Sequence, residues 1–131
     1  MRTDPARVAA VAVGGVLGTW ARWGISATWP VRADRFPLTT LSINVVGALV
    51  LGVVLVALLD RRPARPVAHA LLGTGVLGAF TTFSTLSVEV VILIRLQRFW
   101  VASVYLALSL VLGALAMTGG LALGRRAWSV S

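Results

Sequence analysis

The sequence predicts an all-α integral membrane fold of four transmembrane helices, and three observations carry that prediction. Four apolar runs are each long enough to cross a bilayer, charged residues are scarce, and the arginines gather mostly in the gaps between runs. Charged residues make up 12% of the chain, against about a quarter in soluble domains. With a mean hydropathy of +0.92, such a chain cannot cover its surface with polar groups, so lipid has to cover much of it. No polar stretch is long enough to form a second unit, so residues 1–131 read as a single membrane domain. Cysteine is absent, which excludes disulfides, thiol catalysis and thiolate metal sites.

The spans are predicted over approximately 8–29, 38–59, 67–94 and 99–123. The first is interrupted only by Arg22 and closed by Pro30. The second opens after Pro37 and ends at Asp60, Arg61 and Arg62. The third is bounded by Pro66 and Arg95, and the fourth is stopped by Gly124, Arg125 and Arg126. Each exceeds the roughly 20 residues that cross a 30 Å hydrocarbon core. Trp20, Trp23, Trp29, Trp100 and Trp128 lie towards run ends, where aromatic belts belong. A cleaved signal peptide is the alternative for the first run, but no small-residue cleavage site precedes Arg22. The connections are short, so consecutive helices are expected to be antiparallel neighbours.

The third run is unusual. As one helix it would be about 42 Å long, which demands strong tilt. Its middle reads Gly73, Gly75 and Gly78 followed by Thr81-Thr82-Phe83-Ser84-Thr85, and glycines followed by hydroxyl and β-branched residues weaken a helix. A break near the bilayer midplane is the preferred reading, since irregular backbone survives there only beside protein, an ion or a water-filled cavity. The alternative is a continuous tilted helix whose Ser and Thr side chains bond back to their own carbonyls.

The net charge of +8 raises nucleic acid as a partner. Apart from His69, however, every basic side chain is Arg, set beside apolar runs where headgroups anchor helix ends; this argues against nucleic acid and for membrane lipid. Four spans place Arg2, Arg7, Arg61, Arg62, Arg65, Arg125 and Arg126 on one side and Arg32, Arg35, Arg95 and Arg98 on the other. So weak a bias permits insertion in both orientations, hence a dual-topology antiparallel dimer; the alternative is one orientation with the Arg-rich side cytoplasmic. Gly14 with Gly18, and Gly120 with Gly124, have the GxxxG spacing of close helix packing. Four helices alone enclose little room for a pathway, which also favours a second copy.

Polar residues inside the runs suggest what passes. Arg22 lies deep in the first run and Glu89 is the only acid inside a span, each expected to snorkel, to pair with the other, or to serve function. Thr40, Asn44 and Gly47 share one helical face, as do Thr82, Thr85 and Glu89, and Tyr105, Ser109 and Gly113. One such stripe reads as ordinary interhelical hydrogen bonding, worth about 0.6–2 kcal/mol per bond. Three stripes of neutral donors read as a lined path. Hydroxyls and an Asn amide can replace the water shell of a small anion. Phe83 offers an electropositive ring edge, although Phe80 and Phe83 equally suit plain packing.

These residues resemble a known family. Gly14-Gly15-Val16-Leu17-Gly18 followed by Arg22 is similar to the glycine-rich first helix of the Fluc (CrcB) fluoride channels. Leu41-Ser42-Ile43-Asn44-Val45-Val46-Gly47 resembles the family's second-helix motif. Gly75-Val76-Leu77-Gly78-Ala79-Phe80-Thr81-Thr82-Phe83-Ser84-Thr85 resembles its most specific signature, in a broken third helix. The resemblance covers nearly the whole chain. It implies an antiparallel dimer with two narrow fluoride pathways and a central Na⁺ held by backbone carbonyls, here those of Gly78 and Thr81. It also implies pore-lining roles for Asn44, Ser84, Thr85, Tyr105 and Ser109, with Phe80 and Phe83 beside them. Two positions depart from the pattern. Leu86 stands where the family usually has a second Phe, and Trp23 where it usually has Tyr. Leu86 leaves two assemblies open, a homodimer that tolerates the aliphatic side chain or a dimer with a paralogous sister subunit that supplies the missing ring.

The resulting expectation is passive export of fluoride from the cytoplasm across a bacterial inner membrane, relieving fluoride toxicity. HF enters as a neutral acid, dissociates and is trapped as F⁻; a potential negative inside then drives the anion out. No catalytic constellation is evident, and His69 has no plausible metal partners, so an enzyme is not expected. The alternative is a proton-coupled four-helix exporter using Glu89, for which an aromatic content of 8% supplies few cavity-lining rings. A purely structural membrane subunit is the third possibility, and it would not need three polar stripes.

Overall fold

The computed structural model describes residues 4–30, 35–60 and 65–128. The chain runs through α1 (Pro5–Thr28), α2 (Leu38–Leu55), α3 (66–80), α4 (Phe83–Arg95) and α5 (Phe99–Trp128). Helices α3 and α4 follow one another along the third apolar span, Pro66–Arg95, so the described residues form four spans long and apolar enough to cross a membrane.

Local chemistry sets the ends. The Asp4 carboxylate accepts the Ala6 amide at 3.0 Å, and Pro5 supplies a pre-set φ at the first helical position. Helix α1 therefore starts before the apolar run at residue 8, and α5 continues past residue 123 to Trp128. Hydropathy marks the lipid-facing length, whereas backbone propensity and caps decide where helical bonding stops. Helix α2 runs on into a wider π-wound turn over Val56–Asp60, and α3 is π-wound over Ala70–Leu77. At the far end of α4, Gln97 adopts a left-handed φ of 58°. The Arg98 amide reaches back to the Leu93 carbonyl at 2.8 Å and the Gln97 amide to that of Ile94 at 2.9 Å, a Schellman turn that sends the chain directly into α5.

Packing differs from the expected succession of neighbours. The main partner of α1 is α3, and that of α2 is α5. Both pairs are parallel, since Gly14 meets Leu71 and Gly75 while Gly18 meets Val76 and Phe80, and Leu49, Gly52 and Val56 meet Gly120 and Gly124 in ascending order. Glycine spacing is the physical reason. A Cβ at Gly18 would collide with the Val76 carbonyl, and one at Gly120 with the Leu49 carbonyl, so these backbones approach more closely than side chains allow. Consecutive spans also touch: the Thr39 hydroxyl donates to the Trp29 carbonyl at 2.7 Å between the first and second, and α4 packs on α5 through Leu93, Ala102 and Tyr105.

A small core joins α2, α4 and α5 through Leu41, Leu86, Leu93, Ala102 and Tyr105. The Phe36 ring meets Tyr105 edge to face, with centroids 5.5 Å apart. Only 17–28% of each apolar window is buried within the chain, so most of the apolar surface is left for lipid or another chain to cover.

Candidate functional site

Helical bonding lapses between α3 and α4, where Thr81 has φ −75°, ψ 153° and Thr82 has φ −144°, ψ 120°, both extended. Asn44 of α2 stands opposite. Its Nδ2 donates to the Thr82 carbonyl at 2.9 Å and its Oδ1 accepts the Thr82 amide at 2.8 Å, so one side chain serves both backbone groups of the extended residue. The Thr82 hydroxyl caps α4 by accepting the Thr85 amide at 3.1 Å; it donates to Thr85 Oγ1 at 2.9 Å and lies 3.2 Å from Ser84 Oγ. From α1, Arg22 Nε donates to the Ala79 carbonyl at 3.2 Å, in the last turn of α3.

These bonds redirect the local amides. In an uninterrupted helix the Gly78 carbonyl would take the Thr82 amide and the Thr81 carbonyl that of Thr85. Here those amides go to Asn44 Oδ1 and Thr82 Oγ1. Gly78 and Thr81 are thus left with carbonyl oxygens that lack their helical donors.

A second polar cluster lies towards the α4–α5 turn. Glu89 accepts the Thr40 hydroxyl at 2.8 Å on Oε1 and the Tyr105 hydroxyl at 2.6 Å on Oε2, tying α2, α4 and α5 together. Two hydroxyl donors stabilise a carboxylate that a lipid-facing helix could not otherwise hold. Glu89 does not pair with Arg22, so that option for the two intramembrane charges is not realised: Glu89 is held by Thr40 and Tyr105, and Arg22 by the Ala79 carbonyl.

Asn44, Thr81, Thr82, Phe83, Leu86 and Ser109 line an open cavity of about 420 Å³ between α2, α5 and the interruption. Of the residues singled out from sequence, Asn44, Thr81, Thr82, Phe83, Leu86 and Ser109 are brought together there. Phe83 is 73% exposed, its ring largely uncovered by the rest of the chain. The others lie elsewhere. Phe80 packs beside Gly47, Ser84 and Thr85 surround the cap of α4, and Tyr105 is fully buried against Glu89. Tyr105 and Ser109 share a helical face, yet the Ser109 hydroxyl returns to the Tyr105 carbonyl at 2.8 Å and the Tyr105 ring points into the core. Sequence reasoning missed Met117 as a lining residue, though its i+8 spacing from Ser109 was a usable signal. It also missed the Ala79 carbonyl as the partner of Arg22, for which no side-chain signal exists.

Residues 9–121 match the family described as CrcB-like protein, Camphor Resistance (CrcB). The chain belongs to the CrcB family. Among CrcB relatives, Fluoride-specific ion channel FluC 1 of Mycobacterium bovis is 40% identical over 123 residues, covering 94% of this chain and 93% of its own. Fluoride-specific ion channel FluC 1 of Streptomyces coelicolor is 48% identical over 88 residues, 67% of this chain. Fluoride-specific ion channel FluC 2 of Streptomyces avermitilis is 44% identical over 103 residues, 79% of this chain. The matches span only 57% and 65% of these two Streptomyces proteins. Four apolar spans and CrcB membership together make this a multi-pass membrane protein.

Proposed function

We propose that this chain is a subunit of a fluoride-selective channel that passively releases F⁻ from the cytoplasm across the bacterial inner membrane. The observation that carries the reading is the cavity at the α3–α4 interruption: the Thr81, Thr82 and Ser109 hydroxyls that line it already donate within the chain, to Leu77, Thr85 and Tyr105, which leaves the second amide N–H of Asn44 and the exposed ring edge of Phe83 to face an anion. A small, strongly hydrated anion gives up its water only for donors of this kind. The cavity is open in a single chain, so the pathway is completed by a second subunit inserted in the opposite orientation. Largely uncovered spans and the weak arginine bias, seven against four, both support that assembly.

The dimer centre is the proposed place of a structural Na⁺. The carbonyls of Gly78 and Thr81 suit it, because their helical amides are engaged by Asn44 and Thr82 and a hard cation prefers neutral oxygen donors. Bound there, the ion supplies fixed positive charge that holds two interrupted helices together. What this chain itself does is keep the interruption open through Asn44, hold Arg22 on the Ala79 carbonyl beside it, and fix α4 by capping at Thr82.

Leu86 bears on whether one copy suffices. It faces the cavity yet is only 5% exposed and packs in the core with Leu41 and Tyr105, so its aliphatic side chain serves the fold of each subunit. A homodimer is therefore the proposed assembly, with a sister subunit as its competitor. The exporter reading is not favoured by Glu89, whose two oxygens are engaged by Thr40 and Tyr105. The test is fluoride efflux from liposomes containing this chain alone, with chloride efflux as control and K⁺ moved by an ionophore. Rapid fluoride release without chloride is expected. No release from folded, dimeric protein would overturn the homodimer, and restoration by a sister subunit would then separate a half-channel from a wrong function.

A further inference from the structure

A second cavity, of about 390 Å³, lies at the end of the bundle that carries the α4–α5 turn, lined by Arg35, Phe36, Arg98, Trp100, Val101 and Val104. It shares no lining residue with the cavity at Asn44. At about 100° per residue, Trp100, Val101 and Val104 project from the side of α5 opposite to Ser109 and Met117. The same outward face continues as Leu108, Val111 and Leu115, which are 38%, 54% and 61% exposed, forming an uncovered apolar track along the helix. Phe36 closes one wall and is held there by its edge contact with the buried Tyr105.

Two cations stand at the mouth of this apolar groove. Arg35 precedes α2 and Arg98 immediately precedes α5, both exposed, and neither guanidinium has a hydrogen bond or acidic partner among the described residues. The Schellman turn at Gln97 fixes the backbone of Arg98, and the first amides of α5 beside it lack intrahelical acceptors, which adds positive potential. Trp100 is 80% exposed at the same level, where an indole bridges headgroup and hydrocarbon. The complementary occupant has an anionic phosphate at one end and a long apolar chain at the other.

We propose that this groove binds one anionic phospholipid, its phosphate held between Arg35 and Arg98 and one acyl chain lying along Val101, Val104 and the exposed face of α5. The proposal is independent of what ion the protein conducts. A two-arginine clamp selects a lipid with net negative charge over a zwitterionic one, because a choline or ethanolamine group brings a cation to the same cluster.

Native mass spectrometry of the full-length protein in detergent, titrated with phosphatidylglycerol or with phosphatidylcholine of the same chains, tests this. Phosphatidylglycerol adducts are expected to survive gentle activation, and the R35Q/R98Q variant to bind this lipid about tenfold or more weakly. The charge-matched R65Q/R125Q variant, on the other side, is expected to bind it as the parent does. Val104→Trp fills the groove without touching either charge and is expected to weaken binding as well. Equal binding of the two lipids by the parent, or undiminished phosphatidylglycerol binding by a monodisperse R35Q/R98Q protein, overturns the proposal. So does displacement of the lipid by equimolar glycerol phosphate, which would mean the groove contributes nothing. If R35Q/R98Q aggregates, undiminished binding by Val104→Trp is the overturning result.

Discussion

Asn44 and Thr82 are joined by two hydrogen bonds of opposite sense, Nδ2 to the Thr82 carbonyl at 2.9 Å and the Thr82 amide to Oδ1 at 2.8 Å. An extended residue within an apolar span needs both a donor and an acceptor, and a primary amide carries the two side by side. The pairing thus explains how α3 and α4 stay apart without leaving Thr82 unsatisfied. Asn44→Ala removes both partners, and a loss of about 1–3 kcal/mol is expected, read as a lower unfolding temperature in detergent. Asn44→Asp keeps the acceptor but sets a carboxylate against the Thr82 carbonyl and in the proposed anion path. Fluoride efflux is expected to fall further in Asn44→Asp than in Asn44→Ala at equal folded protein; the reverse order would remove Asn44 from the pathway.

Gly18 and Gly15 make a matched pair on α1. A Cβ at Gly18 meets the Val76 carbonyl, while one at Gly15 has nothing within 4 Å. Gly18→Ala is expected to cost about 1–3 kcal/mol by forcing α1 off α3, whereas Gly15→Ala stays within about 0.5 kcal/mol of the parent. Thermal unfolding of the two variants side by side checks this, and equal losses would mean that α1 and α3 do not pack through Gly18.

Glu89→Gln replaces an acceptor-only group with an amide whose NH₂ must face one of two hydroxyl donors. A loss of about 1–3 kcal/mol is expected, with Tyr105→Phe adding little on top, because the two changes break one network. Folded Glu89→Gln protein is expected to conduct fluoride still. Abolished transport with unchanged stability would instead favour a proton-coupled role for Glu89.

Gln97 holds a left-handed φ of 58° in the turn between α4 and α5. A residue with a Cβ pays about 1–2 kcal/mol there, and glycine does not, though glycine loses more freedom on folding. Gln97→Gly is expected to stabilise the protein by about 0.5–1 kcal/mol. A lower unfolding temperature would mean that the Gln side chain makes a contact outweighing the strain.

Much of the fold was legible because lipid imposes a simple code. Runs of apolar residues between arginines located four spans, and the glycine and threonine cluster marked the place where Thr81 and Thr82 leave helical geometry. Helix partners were harder to read. GxxxG spacing announced close approach at Gly18 and Gly120 but not which backbone would approach, and the short connections pointed to consecutive neighbours rather than to α1 on α3 and α2 on α5. Of the candidate site, Asn44, Phe83, Leu86 and Ser109 converge on one cavity, whereas helical periodicity alone placed Tyr105 beside Ser109 without revealing that its hydroxyl belongs to Glu89.

By itself the sequence determined that this chain lives in a membrane, how many times it crosses, and which span is weakened, since these depend on hydropathy and backbone propensity summed along the chain. Only the tertiary structure decided that Asn44 serves the Thr82 backbone, that Arg22 reaches the Ala79 carbonyl, and that Glu89 is held by Thr40 and Tyr105 rather than by an arginine. Each of those partners is distant in sequence, and in two of them the partner is a backbone group that every residue carries. The choice was made by which helix lay within hydrogen-bonding distance, and close packing at the glycines governs that.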